Sequence, residues 1–501
     1  MLLELHCHSS KHSDCSVVDP VTLVRQVVKK HLQGIVITEH CYLWGEEEIK
    51  QLRRDAEVED NFLIMAGQEA ETDIGHVLVF GADRSIEDKI SLEQLRKTFP
   101  EAALVWAHPF RGGARPEGRE LKDPRLDAVE IFNNNQTVEE NYLGLAAWHR
   151  HKFTAIGGTD THDGVVAGKF PTQLDHPVEN IEGLVKEIKK ARCRPFFKEI
   201  PKAGTNIVVT EITLGTKGED EARDRVILKS FQEKAKWKKL ESSIEIMEKL
   251  HKKGFGEGAY RIPKIIDVKK KDMMLIEEGQ RGRKLYDLLL RVDPSVGKRY
   301  LEHSAKWLAK FHNAGLKVSP REDTVKKEIK RFDSYLRSFT ESSSPYTENA
   351  REMIAFVRGM ETGIFDDKEG LFVQNHGDYH PKNIIIGQDI MQDISTMFVS
   401  VIDFDNSLLF NRAFDAGYFL AQFRSQYFSA PEVIERYPEK LFIEAYLEEA
   451  EGVERDLFTS HLTLFKIRAN LSIASFLIKV GKGESDEMRT LMAYSKGLLK
   501  N

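Results

Sequence analysis

Cysteine is scarce in this chain, with four among 501 residues. Cys7, Cys15, Cys41 and Cys193 show no Cys-x-x-Cys spacing, which excludes a disulfide framework and a cysteine-built zinc knuckle and makes a reducing cytoplasm the expected compartment. Long apolar runs are missing too. No stretch reaches the roughly 18 apolar residues of a membrane helix, and the start, MLLELHCHSS, has an acidic residue and histidines where a signal peptide needs a basic segment and an apolar run. No membrane association is therefore expected. Neither sign of charge dominates: 73 Lys and Arg against 79 Asp and Glu leave a formal charge of -6. That balance argues against a broad electropositive surface for duplex nucleic acid and leaves short oligonucleotides as the nucleic-acid class to consider. Internal repeats, low-complexity tracts and Gly/Ser tethers are lacking as well. A soluble chain of this length is expected to form about two or three domains.

What is present in the first two hundred residues is a series of short apolar runs alternating with helical periodicity: LLELHCH, GIVITEH, FLIMAGQE, HVLVFG, ALVWAHP, AVEIFN and FTAIGGTD. Strands alternating with helices point to a parallel sheet or barrel. His6 and His8 are two apart on a strand, so both face one way while Cys7 faces the other. His40, Glu69, His108 and the pair Asp160 and His162 close successive runs, on the face where barrel enzymes build their sites. Imidazoles mixed with carboxylates suit zinc, manganese or iron. Arg111 lies three residues beyond His108, where a guanidinium either receives a phosphate oxygen or sits solvated in a loop.

This set resembles the polymerase and histidinol phosphatase (PHP) superfamily of metal-dependent phosphoesterases, over residues 1 to about 197. The resemblance implies a distorted seven-stranded α/β barrel holding two or three divalent metals. By that resemblance His6, His8, Glu69 and Asp160 hold one ion, Glu69, His76 and His108 a second, and Asp14, His40 and His162 a third, with Glu69 bridging. The turn SSKHSDCS is one residue longer than its family counterpart, so Asp14 and His12 both stand as candidates for the third ion. Glu39 is assigned no ligand role. Clustered divalent ions give phosphoester hydrolysis a mechanism that needs no protein nucleophile.

The most specific chemistry lies between His376 and Asp405: HGDYHPKNIIIG, thirteen further residues, then VIDFD. An aspartate followed five residues later by an asparagine, with another aspartate leaving an apolar strand, is what phosphoryl transfer from a nucleotide requires. Asp378 is placed to orient and deprotonate the attacking hydroxyl, and Asn383 and Asp403 are hard oxygen ligands for magnesium. The stretch resembles the catalytic and metal-binding loops of the aminoglycoside phosphotransferase and choline kinase type of protein-kinase-like fold. In that resemblance Asp415 braces the loop, AGTNIVVTEIT forms the phosphate-covering turn and second strand, and Lys229 in RVILKSF holds the α and β phosphates of ATP. The acidic partner of Lys229 is Glu241 or Glu245 on the following helix. Glu277 and Glu278 offer backbone groups to adenine, with no side-chain chemistry implied.

The Pro- and Gly-punctuated stretch RPFFKEIPKAG marks the expected junction, giving domains 1–197 and 198–501. The expected architecture is a PHP-type barrel followed by a bilobal kinase-like α+β domain. The expected function is twofold: hydrolysis of a phosphoester, and transfer from ATP to a small-molecule hydroxyl. The alternative is a phosphoesterase or oligonucleotide nuclease regulated by a kinase-like module that binds nucleotide without transferring phosphate. The acceptor is hidden in the charged helical segments after Asp293, whose sequence carries no chemical motif.

Overall fold

The computed structural model describes residues 1–163, 166–203, 207–217, 223–319, 321–366, 372–390 and 393–500, apart from the side chains of 203, 321–326 and 366. It divides into two compact units, Met1–Ser230 with Ile266–Gly279, and Phe231–Ile265 with Gln280–Asn501.

The first unit is built on nine strands: β1 (Leu2–Glu4), β2 (Gly34–His40), β3 (Leu63–Thr72), β4 (Gly75–Phe80), β5 (Ala103–Trp106), β6 (Ala128–Phe132), β7 (Ala155–Gly157), β8 (Thr172–Leu174) and β9 (Cys193–Pro195). Their order in the sheet is β7-β6-β5-β4-β3-β2-β1-β8-β9. Parallel pairing joins β1 to β2, β2 to β3, β5 to β6 and β6 to β7. The runs are apolar on both faces because helices cover one side and side chains fill the other. On the helix Pro20–Lys29, capped by Asp19 accepting from the Thr22 amide at 3.0 Å, Leu23, Val24 and Val27 are buried.

Two features depart from a seven-stranded barrel. HVLVFG does not continue a parallel series: β3 and β4 are antiparallel, as are β4 and β5. The two-residue turn between β3 and β4 has no room for the crossover that a parallel pair needs. The short strands β8 and β9 then extend the sheet beside β1, both antiparallel, for nine in all. The sheet nearly closes on itself. The Thr172 hydroxyl on β8 accepts from the Gly157 amide on β7 at 3.0 Å and donates to its carbonyl at 2.7 Å. Beyond β7, Cys7 and Thr161 form an isolated parallel bridge, and the Asp160 amide donates to the His6 carbonyl at 2.7 Å.

A second, five-stranded sheet follows, in the order β10 (Phe197–Ala203), β11 (Ile207–Leu214), β12 (Asp224–Phe231), Met274–Glu278, Ile265–Lys269. The junction expected at 197 falls inside the first unit because this sheet shares a core with the barrel. Ile212, Leu214, Val226 and Ile276 are buried in one cluster with Val129, Ile131, Phe132 and Phe170. A buried ion pair, Lys169 Nζ to Asp224 Oδ2 at 2.8 Å, ties β12 to the segment before β8. The phosphate-covering turn expected in AGTN lies at 204–206, outside the described residues.

The second unit is mostly helical. The Arg455–Lys479 helix is buried along most of its length, and it shares a core with Ala413–Gln426, Thr347–Asp366 and Pro294–Asn313. Small sheets carry the loops of interest: Ile384–Gln388 pairs with Met397–Val401, and Phe372–Asn375 with Leu408–Asn411. Among the described residues no helix is long and apolar enough to cross a membrane.

Cutting the chain after residue 197 strips four buried aliphatic side chains from the shared core, each worth about 1.5–3 kcal/mol. The 1–197 fragment should therefore melt below the first transition of the full chain and bind a hydrophobic dye. Equal melting temperatures would show that the shared core contributes nothing.

Candidate functional site

Register brings the polar residues of the first unit together. Parallel pairing sets His40 opposite Glu69 at the ends of β2 and β3, and the β3–β4 hairpin sets His76 opposite Glu71. Glu69 is not the end of its strand as the sequence suggests, since β3 runs on to Thr72. The His6 Nε2, His8 Nε2, Glu69 Oε2 and Asp160 Oδ1 atoms converge. His6 lies 3.3 Å from Glu69 and 3.4 Å from Asp160, His8 lies 3.1 and 3.2 Å from the same oxygens, and the two imidazole nitrogens are 3.3 Å apart. Bonds of about 2.0–2.1 Å to a tetrahedral zinc separate neighbouring ligand atoms by about 3.3–3.4 Å. The donor set and its spacing thus fit a divalent ion.

The other carboxylate oxygen of Glu69 faces a second group, 3.0 Å from His76 Nδ1 and 3.2 Å from His108 Nε2. A third group comprises His8, Cys15 and His40, with ligand atoms within 4.8 Å of one another. Here the structure differs from the expected set. Asp14 is exposed and stands in no such group. His12 stacks on Tyr42 and reaches Glu48 at 3.1 Å. His162 packs its ring against His8 and turns Nδ1 to the Asp160 carbonyl, 2.8 Å away. The reason lies in the longer turn. The Ser13 hydroxyl donates to buried Glu39 at 2.5 Å and so anchors the turn one residue before Asp14, and it is Cys15 that comes into the group with His8 and His40.

Several residues that hold the cage carry no motif. Glu130 on β6 accepts from His6 Nδ1 at 2.9 Å, from the His108 amide at 2.9 Å and from the Asn133 amide group at 3.0 Å. It thereby fixes the tautomer that leaves His6 Nε2 for the cage. Buried Glu4 accepts from the amides of His6, Thr159 and Gly168 and from the Thr159 hydroxyl, clamping the loop that carries Asp160. The only signal for either was a lone acid in an apolar run. Gly158 is needed because any Cβ there would collide with His6 and with the Glu130 carboxylate. Glu39 accepts from Ser9, Ser13 and Trp44. The Arg111 guanidinium pairs with Asp160 and is 3.4 Å from Asn133 Oδ1. His108 and Asp160 are held at φ 34° and 49°, left-handed conformations that cost a side-chain-bearing residue about 1–3 kcal/mol.

Burial opposes charge on His6, yet the Glu130, Glu69 and Asp160 carboxylates raise its pKa well above the usual value. Glu69 and Asp160 stay far on the ionised side in spite of burial, through His6 and the neighbouring imidazoles. Burial pulls His40 down to about 4, so its ring offers a lone pair at neutral pH.

In the second unit the HGD turn hangs on one buried carboxylate. Asp415 accepts from the His376 amide at 2.6 Å and the Gly377 amide at 2.9 Å, and lies 3.3 Å from His312 Nε2. Gly377, at φ 84°, has no room for a Cβ beside the Asn406 carbonyl. Asn383 donates to the Asp378 carbonyl at 3.0 Å and approaches its carboxylate at 3.3 Å, and the Tyr418 hydroxyl donates to Asp378 Oδ1 at 2.9 Å. Burial works against ionisation of Asp378, but His380 and Tyr418 hold its pKa below the usual carboxylate value, so it is a proton acceptor at neutral pH. Asp403 sits at φ 72°, ψ 63°, directly after the Met397–Val401 strand and Ile402.

In the first unit Lys229 Nζ lies 3.5 Å from Glu277 Oε2. Antiparallel register sets Lys229 opposite Leu275, so Glu277 is its diagonal neighbour on the same face. Glu277 is thus a carboxylate neighbour of Lys229 within the first unit. Glu241 is exposed on its helix, and Glu245 pairs with Lys249 at 2.6 Å.

Residues 216–451 match the phosphotransferase enzyme family (APH). An uncharacterized protein of Methanocaldococcus jannaschii is 28% identical over 120 residues, which are 24% of this chain and 68% of that protein. Among solved structures, an ethanolamine kinase of Plasmodium vivax is similar at 16% identity and a TM-score of 0.39, over 60% of this chain and 82% of its own. The choline kinase of Streptococcus pneumoniae is similar at 16% identity and a TM-score of 0.38, over 61% and 93%.

Asp415→Ala leaves two buried amides without acceptors, at about 1–3 kcal/mol for each. Chemical denaturation of the variant should show a loss of about 2–6 kcal/mol in the second unit. A change under about 0.5 kcal/mol, the range of an unremarkable surface substitution, would show that Asp415 does not brace the turn.

Proposed function

We propose that the chain is a bifunctional enzyme, with a metal-dependent phosphoesterase of PHP type in residues 1–197 and an ATP-dependent phosphotransferase acting on a small-molecule hydroxyl in residues 198–501. The observation that carries the first activity is the mutual spacing of the four ligand atoms of His6, His8, Glu69 and Asp160. The second rests on the Asp378, Asn383 and Asp403 constellation inside the residues that match the phosphotransferase family.

In the phosphoesterase, His6, His8, Glu69 and Asp160 would hold one ion and Glu69, His76 and His108 another, with His8, Cys15 and His40 available to a third. Such ions supply Lewis acidity toward the phosphate oxygens and the attacking water. Glu130 orients His6, and its conservation of tautomer keeps the ligand nitrogen free. Arg111 is exposed beside Asp160, and once Asp160 ligates an ion its guanidinium is positioned to take a phosphate oxygen.

In the phosphotransferase, Asp378 accepts the proton of the attacking hydroxyl while Tyr418 keeps its carboxylate oriented. Asn383 and Asp403 would hold magnesium, which neutralises charge on the transferring phosphoryl group. Lys229, steadied by Glu277, serves the α and β phosphates of ATP. The cytoplasm is the compartment that fits these reactants.

Replacing a carboxylate behind a metal-binding histidine costs about 10–100-fold in metal affinity. Glu130→Gln should show that loss in competition against a chelator, and Asp160→Ala should abolish hydrolysis of a generic phosphoester while ATP still binds. If protein purified without chelator carries no transition metal, and added manganese or zinc elicits no hydrolysis, the phosphoesterase proposal fails.

Loss of a general base lowers turnover by about 10²–10⁴-fold. Asp378→Asn should lower kcat by that amount and leave the Kd for ATP within about twofold, because the base acts on the transition state and not on bound nucleotide. An equal kcat would remove Asp378 from the chemistry.

A further inference from the structure

Asp378 opens onto a cavity of about 650 Å³ within the second unit, walled by the start of the Lys234–Leu250 helix, by the Arg321–Glu341 helix and by the Arg455–Lys479 helix. That volume suits a small metabolite. Its lining is strongly cationic. Lys238, Lys239, Lys327, Arg331 and Arg468 line it, against the carboxylates of Glu328 and Asp378.

Glu328 is already committed. Arg468 grips it with two nitrogens, one at 2.9 Å, and Arg331 reaches it at 3.0 Å. Asp378 is taken up by Tyr418, Asn383 and His380. Behind this wall, burial and the neighbouring Glu328 push Glu361 up to about 8, so it adds no negative charge at neutral pH. Among the described residues no carboxylate comes within 4.0 Å of the amino groups of Lys238, Lys239 or Lys327. The Lys239 amino group donates to Asn406 Oδ1 at 2.9 Å, a neutral partner. Its pKa is lowered by burial first, and Lys327 and Arg331 add to that against Asp405, so cations from two facing helices feel one another across the cavity.

Basic side chains on a helix surface normally point apart into water. Here they point into one cavity together with the catalytic base, where their mutual repulsion is relieved by an anion. Resting on the reading of Asp378 as base, we infer that the phosphoryl acceptor is itself an anion: a hydroxy compound bearing a phosphate or carboxylate, its charge held by Lys238, Lys239, Lys327 and Arg331 and its hydroxyl facing Asp378. In the step, the acceptor oxygen forms a bond to the γ-phosphorus of ATP, the bond from that phosphorus to the β–γ bridging oxygen breaks, ADP leaves with the electron pair, and the hydroxyl proton passes to Asp378. A cationic acceptor meets five basic side chains in this lining against two carboxylates that already have partners.

The test is ADP release by the full chain with magnesium and ATP, against matched acceptors: glycerol, glycerol 3-phosphate and glycerate; glucose, glucose 6-phosphate and gluconate; choline and ethanolamine. Turnover confined to anionic members, with kcat/KM at least about 100-fold above the neutral parent, supports the inference. Phosphate and carboxylate members distinguish the two sources of charge. The exposed pair Lys238→Gln and Lys327→Gln should raise KM for the active anion about tenfold or more, with KM for ATP unchanged, and added salt should raise the wild-type KM. Preference for choline or ethanolamine, equal use of neutral and anionic acceptors, or a lysine effect on ATP alone overturns it while phosphotransfer stands. If no acceptor of any class is phosphorylated, phosphotransfer itself fails. Titration calorimetry with glycerol 3-phosphate then decides the cavity: binding weakened in the lysine variant retains the anion site, and no binding removes it.

Discussion

Two carboxylates, Glu69 and Asp160, are buried within reach of the same pair of imidazoles, and an interior cannot hold such charges uncompensated. Several kcal/mol of desolvation per ion must be met by cations or hydrogen bonds. The first unit is arranged around that demand. The sheet curls until the segment after β7 pairs beside the segment after β1, which brings Asp160 to His6 and His8. The β3–β4 hairpin brings His76 to Glu69. Two further buried acids then serve as braces, Glu130 on the imidazole and Glu4 on the backbone of the Asp160 loop. Histidine protons alone satisfy this cage poorly, since His6 and His8 present nitrogens to each other at 3.3 Å. One divalent ion, as proposed above, would answer all four ligand atoms at once.

The second unit meets a similar demand at a single buried acid. Buried Asp415 is compensated by two backbone amides and His312, and in return it sets the turn that presents Asp378. Asn383 closes the same loop from the other side. Glu328 and Asp378 have fixed partners, which leaves Lys238, Lys239 and Lys327 as the cavity's cations with no carboxylate partner among the described residues. The two sheets of the first unit share a core through Ile212, Val226 and Phe170, so the strand that carries Lys229 is packed on the large, nearly closed sheet.

What was legible in the sequence was whatever is encoded at short range. Period-two spacing put His6 and His8 on one face, and the five-residue interval from Asp378 to Asn383 survives as a single closed loop because its hydrogen bonds are local. Contacts between distant segments were not legible. Glu130 looked like a stray acid in an apolar strand, since its partner His6 is 124 residues away. The approach of Glu277 to Lys229 depends on strand register, which no local pattern carries. One added residue in a turn changes which side chain approaches His8 and His40, and the anchoring of Ser13 on Glu39 is a long-range contact that no local pattern reveals. The junction at 197 followed proline and glycine punctuation, a local signal that is blind to a core shared across it.

The proposed phosphoesterase requires a cation at Glu69 and Asp160. Anomalous X-ray diffraction at the zinc, iron and manganese edges, on crystals of full-length protein purified without chelator, tests it most directly. A peak enclosed by His6 Nε2, His8 Nε2, Glu69 Oε2 and Asp160 Oδ1, with another bounded by Glu69, His76 and His108, is the predicted result. Well-ordered crystals with no anomalous peak there, and the imidazole and carboxylate atoms in direct contact at their present spacing, would contradict it.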